Sequence, residues 1–368
     1  MRIIIAGGGT GGHIFPAIAI AQALKRQAPQ CEILFVGAQG KMEMEKVPQA
    51  GFRIVGLPIA GFNRSSLIKN ISLPLKLLLS FWKVHQLFRS HQPDAVIGVG
   101  GYSSFPVLRY AQAKGIPTFL HESNAFAGKS NILLGKKASL VFVATEGMER
   151  FFPAEKIRVS GNPVRKMIIE RKVSREEANR FFGLDPAAKT VLVTGGSLGA
   201  RGINEAIASG LEIVKKAKVQ LIWQTGISFA PRAKTLTEST EHIWTAAFIP
   251  EMDQAFAAAD LVVSRSGAMA IAELSIVGKP AILVPYPLAA EDHQTMNARQ
   301  LVEKQAAWMV ADREAAKELI PAIQRLLDDE RLREQMSRNI QRIAITDADD
   351  RIAGWVLKQI RNKKIDQA

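Results

Sequence analysis

Short aliphatic runs alternate along this chain with stretches whose apolar residues carry a helical spacing. The runs predict strands at 2–6, 32–36, 53–57, 95–99, 117–120 and 139–143, and again at 190–194, 219–223, 243–248, 260–264 and 281–284. Several are apolar at every position rather than every second one, as in Ala95-Val96-Ile97-Gly98-Val99 and Leu261-Val262-Val263. Continuous runs belong to strands covered on both faces, hence to parallel sheets between layers of helix. The expected class is α/β, with ligands at the carboxyl ends of the strands.

One unit of the pattern occurs twice. Ile3-Ile4-Ile5-Ala6 runs into Gly7-Gly8-Gly9-Thr10-Gly11-Gly12-His13, and Val191-Leu192-Val193-Thr194 runs into Gly195-Gly196-Ser197-Leu198-Gly199-Ala200. Helical spacing follows each, over 15–24 and 204–214. Glycines let a ligand approach the backbone, and the helix start behind them offers unpaired N–H groups and the positive end of a dipole. Such a start is an anion site. Two copies predict two nucleotide-fold domains; the plainer reading, two tight βα turns, suits one copy better than both. The break is expected near Val159-Ser160-Gly161-Asn162-Pro163-Val164-Arg165, giving domains 1–162 and 163–345. A charged helix is expected from Ser174 to Phe182. After Pro321 the chain reads as helix to near Lys364, bent around Asp347 to Asp350, and its last part, about 346–368, is expected to return to the first domain.

A chain of 368 residues fits two cores. A single cysteine, Cys31, excludes an internal disulfide and a thiolate zinc site, and the six histidines lack HxxxH or HxH spacing. The net charge of +14 calls for an anionic partner. No acid lies between Glu45 and Asp94, or between Glu122 and Glu146, so the positive field belongs to the first half. The uncharged stretch Ile3 to Leu24 holds six glycines and prolines, too many for an inserted signal helix, so export is not expected.

Pro74 to Phe88 is rich in Leu, Phe and Trp, with Lys76, Ser80 and Lys83 on one helical stripe. It reads either as a core helix with one exposed edge or as part of an anionic membrane-surface patch with Lys69 and Arg89.

Gly7, Gly9 and Gly12 satisfy GxGxxG. A dinucleotide site also needs an acid at the end of the second strand, and Glu32 stands at its start. The P-loop pattern is absent. His13, where loop becomes helix, is either a helix-start residue bonded to backbone or a group that acts on a substrate. His121-Glu122-Ser123-Asn124 follows the run ending at Leu120 and offers acid–base and amide chemistry, or else a polar loop with a helix cap. Arg265-Ser266-Gly267-Ala268 is a third glycine turn with Glu273 on the helix behind it, either a ribose ligand or a solvated helix glutamate. Glu291-Asp292-His293-Gln294 with Asn297 follows another strand end. No two acids in this segment have the spacing of a metal-binding DxD, so diphosphate charge would be met by N–H groups, dipoles and basic side chains.

Taken in order, Gly8-Gly9-Thr10-Gly11-Gly12-His13, Gly100-Gly101-Tyr102, His121-Glu122-Ser123-Asn124, Gly161-Asn162-Pro163-Val164-Arg165, Gly195-Gly196-Ser197, Arg265-Ser266-Gly267-Ala268 with Glu273, and His293-Gln294 with Asn297 resemble the MurG family of bacterial peptidoglycan glycosyltransferases over essentially the whole chain. The resemblance implies a GT-B fold, two Rossmann-like domains with parallel sheets facing a central cleft. It implies inverting, metal-independent transfer of N-acetylglucosamine from UDP-N-acetylglucosamine to the undecaprenyl-diphosphate-linked acceptor lipid I, giving lipid II at the inner face of the cytoplasmic membrane. No cofactor is implied. Partners would be the two substrates, an anionic membrane surface and cell-wall synthesis or division proteins, with no nucleic acid.

By the same resemblance Thr10, Gly11 and Gly12 would contact the donor and Asn124 its sugar. Arg165, Ser197 and the Ile249 region would hold the diphosphate or uridine side. Ala268, Met269, Ala270, Ile271, Ala272 and Glu273 would bind uridine diphosphate, Glu273 at the ribose, and Gln294 would touch the sugar. His13, then Glu122, are candidate bases. Leu198 stands where the family commonly has glutamine, Ala270 replaces a common threonine, and Ser103-Ser104-Phe105 is unusual. The competing readings are a UDP-sugar 2-epimerase on the same fold and a non-catalytic nucleotide- or nucleic-acid-binding protein.

Overall fold

The computed structural model of the chain describes residues 1–61, 70–170, 173–196, 198–238 and 240–366, with side chains to 363. Two compact units are present, Met1–Arg165 joined by the segment from Thr346, and Lys166–Ile345.

The first unit alternates strand and helix: β1 (Arg2–Ala6), α1 (Gly11–Gln27), β2 (Glu32–Ala38), α2 (Glu43–Gln49), β3 (Arg53–Leu57), α3 (Leu73–His91), β4 (Ala95–Gly98), α4 (Ser104–Ala113), β5 (Thr118–Glu122), α5 (Lys129–Gly135), β6 (Leu140–Val143) and β7 (Ile157–Val159). Its seven strands are all parallel, in the order β3-β2-β1-β4-β5-β6-β7. β1 shows why its sequence is continuously apolar. Ile4 pairs with Leu34 on one side and Val96 on the other. Ile3 and Ile5 enter a core with α1, whereas Ile4 and Ala6 enter the opposite core under α3 and α4. Order reverses between β1 and β4, the switch point where open α/β sheets bind ligands.

The second unit holds α6 (Lys166–Glu170), α7 (Arg175–Phe181), β8 (Thr190–Thr194), α8 (Arg201–Ser209), α9 (Leu211–Lys216), β9 (Gln220–Gln224), α10 (Ala230–Thr237), β10 (Ile243–Ala246) and α11 (Met252–Ala258). It continues through β11 (Leu261–Ser264), α12 (Ala268–Val277), β12 (Ala281–Leu283), α13 (His293–Glu303), β13 (Trp308–Met309), α14 (Ala315–Asp328) and α15 (Glu330–Gln341). Its six parallel strands run β10-β9-β8-β11-β12-β13, with the switch between β8 and β11. Ser174 caps α7, its side chain accepting from Glu177 N and Glu177 reaching back to it, so the charged stretch starts where expected.

The last helix, α16 (Ala348–Asp366), belongs to the first unit. Ile352, Ala353, Val356, Leu357 and Ile360 form one stripe that joins the α1 core. Arg26 at the end of α1 pairs with Asp349 at 2.7 Å and Asp350 at 2.8 Å, and Trp355 stacks on Phe142.

α3 differs from its sequence reading. The Lys76, Ser80, Lys83 stripe is the side turned inward. Ser80, Val84 and Phe88 are buried, and Lys83 donates to Gly56 O at 2.7 Å. The solvent side is apolar: Leu75, Leu78, Leu79 and Trp82, with Ile71 just ahead. Lys69 lies outside the described residues. No described helix is long and apolar enough to cross a membrane.

Candidate functional site

At the first switch point the loop after β1 meets the loop after β4. The backbone at Gly101 has φ of 81°, and a Cβ there would overlap the Gly8 carbonyl oxygen. A side chain is therefore excluded twice, by conformation and by space. The loop's own N–H groups are largely committed. Gly7 N donates to Val36 O, and Gly9 N donates at 3.0 Å to Glu43 Oε2. Glu43 Oε1 accepts from Ala38 N, also at 3.0 Å, and its side chain is almost completely buried. A negative charge thus lies beneath the first glycine loop, and the donors left facing outward are those of the first turn of α1, at Gly11 and Gly12. Thr10 is exposed at the N-cap.

Glu43 was missed by the sequence reading, which found no acid at the end of β2. The acid comes five residues later, as the first residue of α2, and folds back. The available signal was its i, i+4 spacing with the buried Val47. Both its oxygens are used by backbone, so it offers no ribose ligand.

His13 Nδ1 lies 3.2 Å from Gly8 O and 3.2 Å from Thr10 Oγ1. A carbonyl oxygen only accepts, so Nδ1 carries the proton in the neutral ring and Nε2 the lone pair. The ring edge bearing Nε2 fills the space a Cβ on Gly100 would take. Tyr102 lies against Gly9, and burial together with the Glu43 charge pushes its hydroxyl pKa up.

β5 runs two residues further than expected, because His121 pairs with Phe142 and Glu122 with Val143 of β6. His121 is therefore a core residue. Burial pushes its pKa down to about 4, its Nε2 donates to Gly161 O, and Ser123 Oγ donates to Nδ1. Glu122 is buried as well. Oε1 accepts from Asn124 N and Asn124 Nδ2, and Oε2 from Gly128 N and from Asn131 Nδ2 at 2.9 Å. This carboxylate organises the loop that presents Asn124. Arg165 is half-buried at the end of the first unit.

In the second unit Thr194, Gly196 and Gln224 tie the second glycine loop to β9: Thr194 Oγ1 donates to Gln224 Oε1, and Gln224 Nε2 to Gly196 O at 2.9 Å. The helix behind it begins at Arg201 and breaks at Gly210, not running from 204 to 214 unbroken. Ser197 lies outside the described residues. Leu198 beside it is almost fully exposed. The third turn is the most tightly built. Ser266 Oγ donates to Gln294 O at 2.8 Å, Asn297 Nδ2 to Ser266 O, and Tyr286 N to Gln294 Oε1. That leaves the Gln294 NH2 group as the donor it can offer. Arg265 spans Val284 O, Pro285 O and the Asp312 carboxylate and lies over the Tyr286 ring. Neither Arg265 nor Asp312 was singled out as a site residue from sequence. They brace the segment Val284 to Tyr286, on which the Gln294 side chain is fixed.

α12 starts at Ala268 with no side-chain cap, and its first turn runs through Ala268, Met269 and Ala270. Ile271 N closes on Gly267 O. Ala272 is half-buried, and Glu273 is almost fully buried rather than solvated. Ile249 is fully buried, so only its backbone can meet a ligand; Phe248 is the exposed side chain next to it. Among the described residues no three His, Cys, Asp or Glu side chains converge as a metal site requires.

Comparison with known proteins matches both units. The model of the glycosyltransferase family 28 N-terminal domain matches residues 3–143, and that of the family 28 C-terminal domain residues 190–352. A Parabacteroides distasonis protein named UDP-N-acetylglucosamine--N-acetylmuramyl-(pentapeptide) pyrophosphoryl-undecaprenol N-acetylglucosamine transferase is 50% identical over 365 residues, 98% of this chain and 99% of its own. A Cytophaga hutchinsonii protein of the same name is 50% identical over 363 residues, 99% of this chain and 98% of its own. The crystal structure of Acinetobacter baumannii MurG matches with a TM-score of 0.80 at 28% identity, over 97% of this chain and 99% of that one. A UDP-GlcNAc 2-epimerase from Neisseria meningitidis shares the fold, with a TM-score of 0.70 at 16% identity over 97% of this chain and 100% of that one.

Proposed function

The chain belongs to glycosyltransferase family 28 and is a hexosyltransferase, and from that premise we propose that it is the transferase of the lipid-linked step of peptidoglycan synthesis. It moves N-acetylglucosamine from UDP-N-acetylglucosamine to undecaprenyl-diphosphate-N-acetylmuramoyl-pentapeptide, lipid I, and yields lipid II and UDP. The observation that carries this reading is identity of 50% along nearly the whole length of relatives so named.

The second unit takes the donor. The first turn of α12, at Ala268, Met269 and Ala270, meets the diphosphate with backbone groups and the positive end of the helix dipole. Glu273 accepts the ribose hydroxyls, the backbone at Ile249 meets the uracil side, and Gln294, fixed through Tyr286 and Ser266, donates to the sugar. Ser197 and Arg165 are assigned to the diphosphate by their place in the family pattern. As the glycosidic bond to the β-phosphate breaks, its electron pair goes to the phosphate oxygen, and preorganised donors stabilise that charge without reorganising. A metal ion is not required by this scheme.

The first unit takes the acceptor's hydroxyl and diphosphate, with the first turn of α1 (Gly11, Gly12) as the anion site; Thr10 and Asn124 are assigned to the donor and its sugar by their place in the family pattern. The acceptor hydroxyl attacks the anomeric carbon with inversion and gives its proton to His13 Nε2. Glu122, which holds four hydrogen bonds of its own loop, positions Asn124 and is the poorer base.

α3 provides the membrane contact. An exposed row of Leu and Trp with the exposed Arg89 suits the interface of an anionic bilayer. A peripheral protein at the cytoplasmic face would reach a substrate whose lipid tail stays in the membrane. Partners among cell-wall or division proteins remain part of this reading on family grounds alone.

The test of the site is binding. UDP should bind the full-length protein, and NAD or single-stranded DNA should not compete with it in calorimetry. Equal affinity for NAD or DNA would overturn the donor assignment.

A further inference from the structure

A single peptide group links the buried acid to the candidate base. The Gly8 carbonyl faces His13 Nδ1 at 3.2 Å, and the Gly9 N–H of the same peptide donates to Glu43 Oε2 at 3.0 Å. In a trans peptide the C=O and N–H point in opposite directions, so the two partners lie on opposite sides of it. We propose that Glu43 is a positioning residue for His13: through the Gly8–Gly9 peptide its carboxylate fixes the Nδ1–H tautomer and raises the basicity of Nε2.

The physics is that of a polarised hydrogen-bond chain. A carboxylate accepting from Gly9 N–H draws the peptide dipole into line and enriches the Gly8 oxygen in negative charge. That oxygen then holds the Nδ1 proton more tightly and favours the imidazolium. A histidine paired directly with a carboxylate is tuned in the same sense. Glycines make the arrangement possible. A Cβ at Gly8 would overlap the Glu43 carboxylate, and one at Gly101 would overlap the Gly8 oxygen. The second oxygen of Glu43 is held by Ala38 N, which keeps the carboxylate under the loop.

This inference rests on the reading of His13 as the base. In the step it serves, the acceptor O–H proton passes to Nε2 while the new O–C bond forms and the bond to UDP breaks with its electron pair. The imidazolium then keeps Nδ1–H on Gly8 O. Titratable groups near His13 among the described residues include Tyr102, whose ring lies against Gly9, and His121 on β5, neutral because burial pushes its pKa down to about 4.

The experiment is nitrogen-15 NMR of the histidine rings in the full-length protein, with His13 assigned by its loss in His13→Gln. The parent should show the Nδ1–H tautomer. In Glu43→Gln the His13 pKa should fall, by roughly one to two units for the loss of a nearby unit charge. The acid limb of kcat should move down with it, while the KM for UDP-N-acetylglucosamine stays unchanged. An Nε2–H tautomer in the parent overturns the proposal, and that measurement needs no variant to fold. So does an unmoved His13 pKa in a Glu43→Gln protein with the parent's melting temperature. A shifted His13 pKa with an unmoved kcat limb upholds the coupling and removes His13 as the base.

Discussion

Replacing Leu75, Leu78 and Trp82 with serine should detach the protein from anionic vesicles without disturbing its fold. The three side chains expose 61%, 67% and 61% of their surface, together about two whole apolar side chains. Full withdrawal of that surface from water would contribute about 4 kcal/mol, at about 2 kcal/mol for each side chain. A helix lying at headgroup level immerses roughly half of it, leaving about 2 kcal/mol, or about a 30-fold loss of vesicle affinity in the triple variant. None of the three belongs to the core clusters, so stability should change little, within about 0.5 kcal/mol for each substitution. A basic residue forms the second arm. Arg89→Glu should weaken binding by about 1 kcal/mol at low salt, an effect that salt should erase. Lys83 is unsuitable for this purpose because its ammonium is bonded to Gly56 O. The assay is co-sedimentation with phosphatidylglycerol vesicles, alongside turnover of a short-chain soluble acceptor, which the triple variant should retain. Unchanged sedimentation of a folded triple variant would refute the argument and leave the apolar face for some other partner.

Three further outcomes are expected. Glu273→Ala should raise the KM for UDP-N-acetylglucosamine by about 10- to 150-fold, since a hydrogen bond to a charged group contributes about 1.5–3 kcal/mol; an unchanged KM removes Glu273 from the ribose. Turnover should survive dialysis against EDTA, and a loss that magnesium alone restores would transfer the role given to α12 to a cation. His121 has its pKa lowered from 6.5 to about 4 by burial, so the unfolded chain binds its proton first as pH falls. Stability should be fully present above about pH 6.5 and fall through about pH 4, by up to roughly 3 kcal/mol. Urea titrations at pH 7.5 and 5 should show a larger loss in the parent than in His121→Gln, and equal losses would contradict the cause assigned.

Much of the fold was legible because central parallel strands are buried on both faces and so read as unbroken aliphatic runs, as in β1 and β11. β7 and β13 were not found, being edge strands of three and two residues, too short to make a run. The end of β5 was placed two residues early because His121 and Glu122 are polar; buried hydrogen bonds, which leave no periodic trace, keep them in the strand. The C-terminal helical stretch was expected from Pro321 onward with a bend around Asp347 to Asp350; α14 starts at Ala315 and carries that proline within it, a break at Asp329 was not foreseen, and α16 starts at Ala348 beside the expected bend. α3 was recognised as a helix, but a segment apolar on most sides does not say which side packs. Ser80, bonded back to Lys76 O, and the inward Lys83 decided it. Of the site, the glycine turns and Glu273 stood out because glycine and acid positions follow strand ends. Glu43, Arg265 and Asp312 did not, since each works through a fold-back contact that spacing alone does not reveal.

The central claim is the reaction itself, and the most direct measurement follows the sugar. Purified protein should be incubated with radiolabelled UDP-N-acetylglucosamine and a short-chain lipid I analogue, and the products separated. Label should move into a lipid-linked disaccharide with one UDP released for each sugar transferred, and only when the acceptor is present. Label that stays on the nucleotide, whether unchanged or converted to the 2-epimer, would contradict the account.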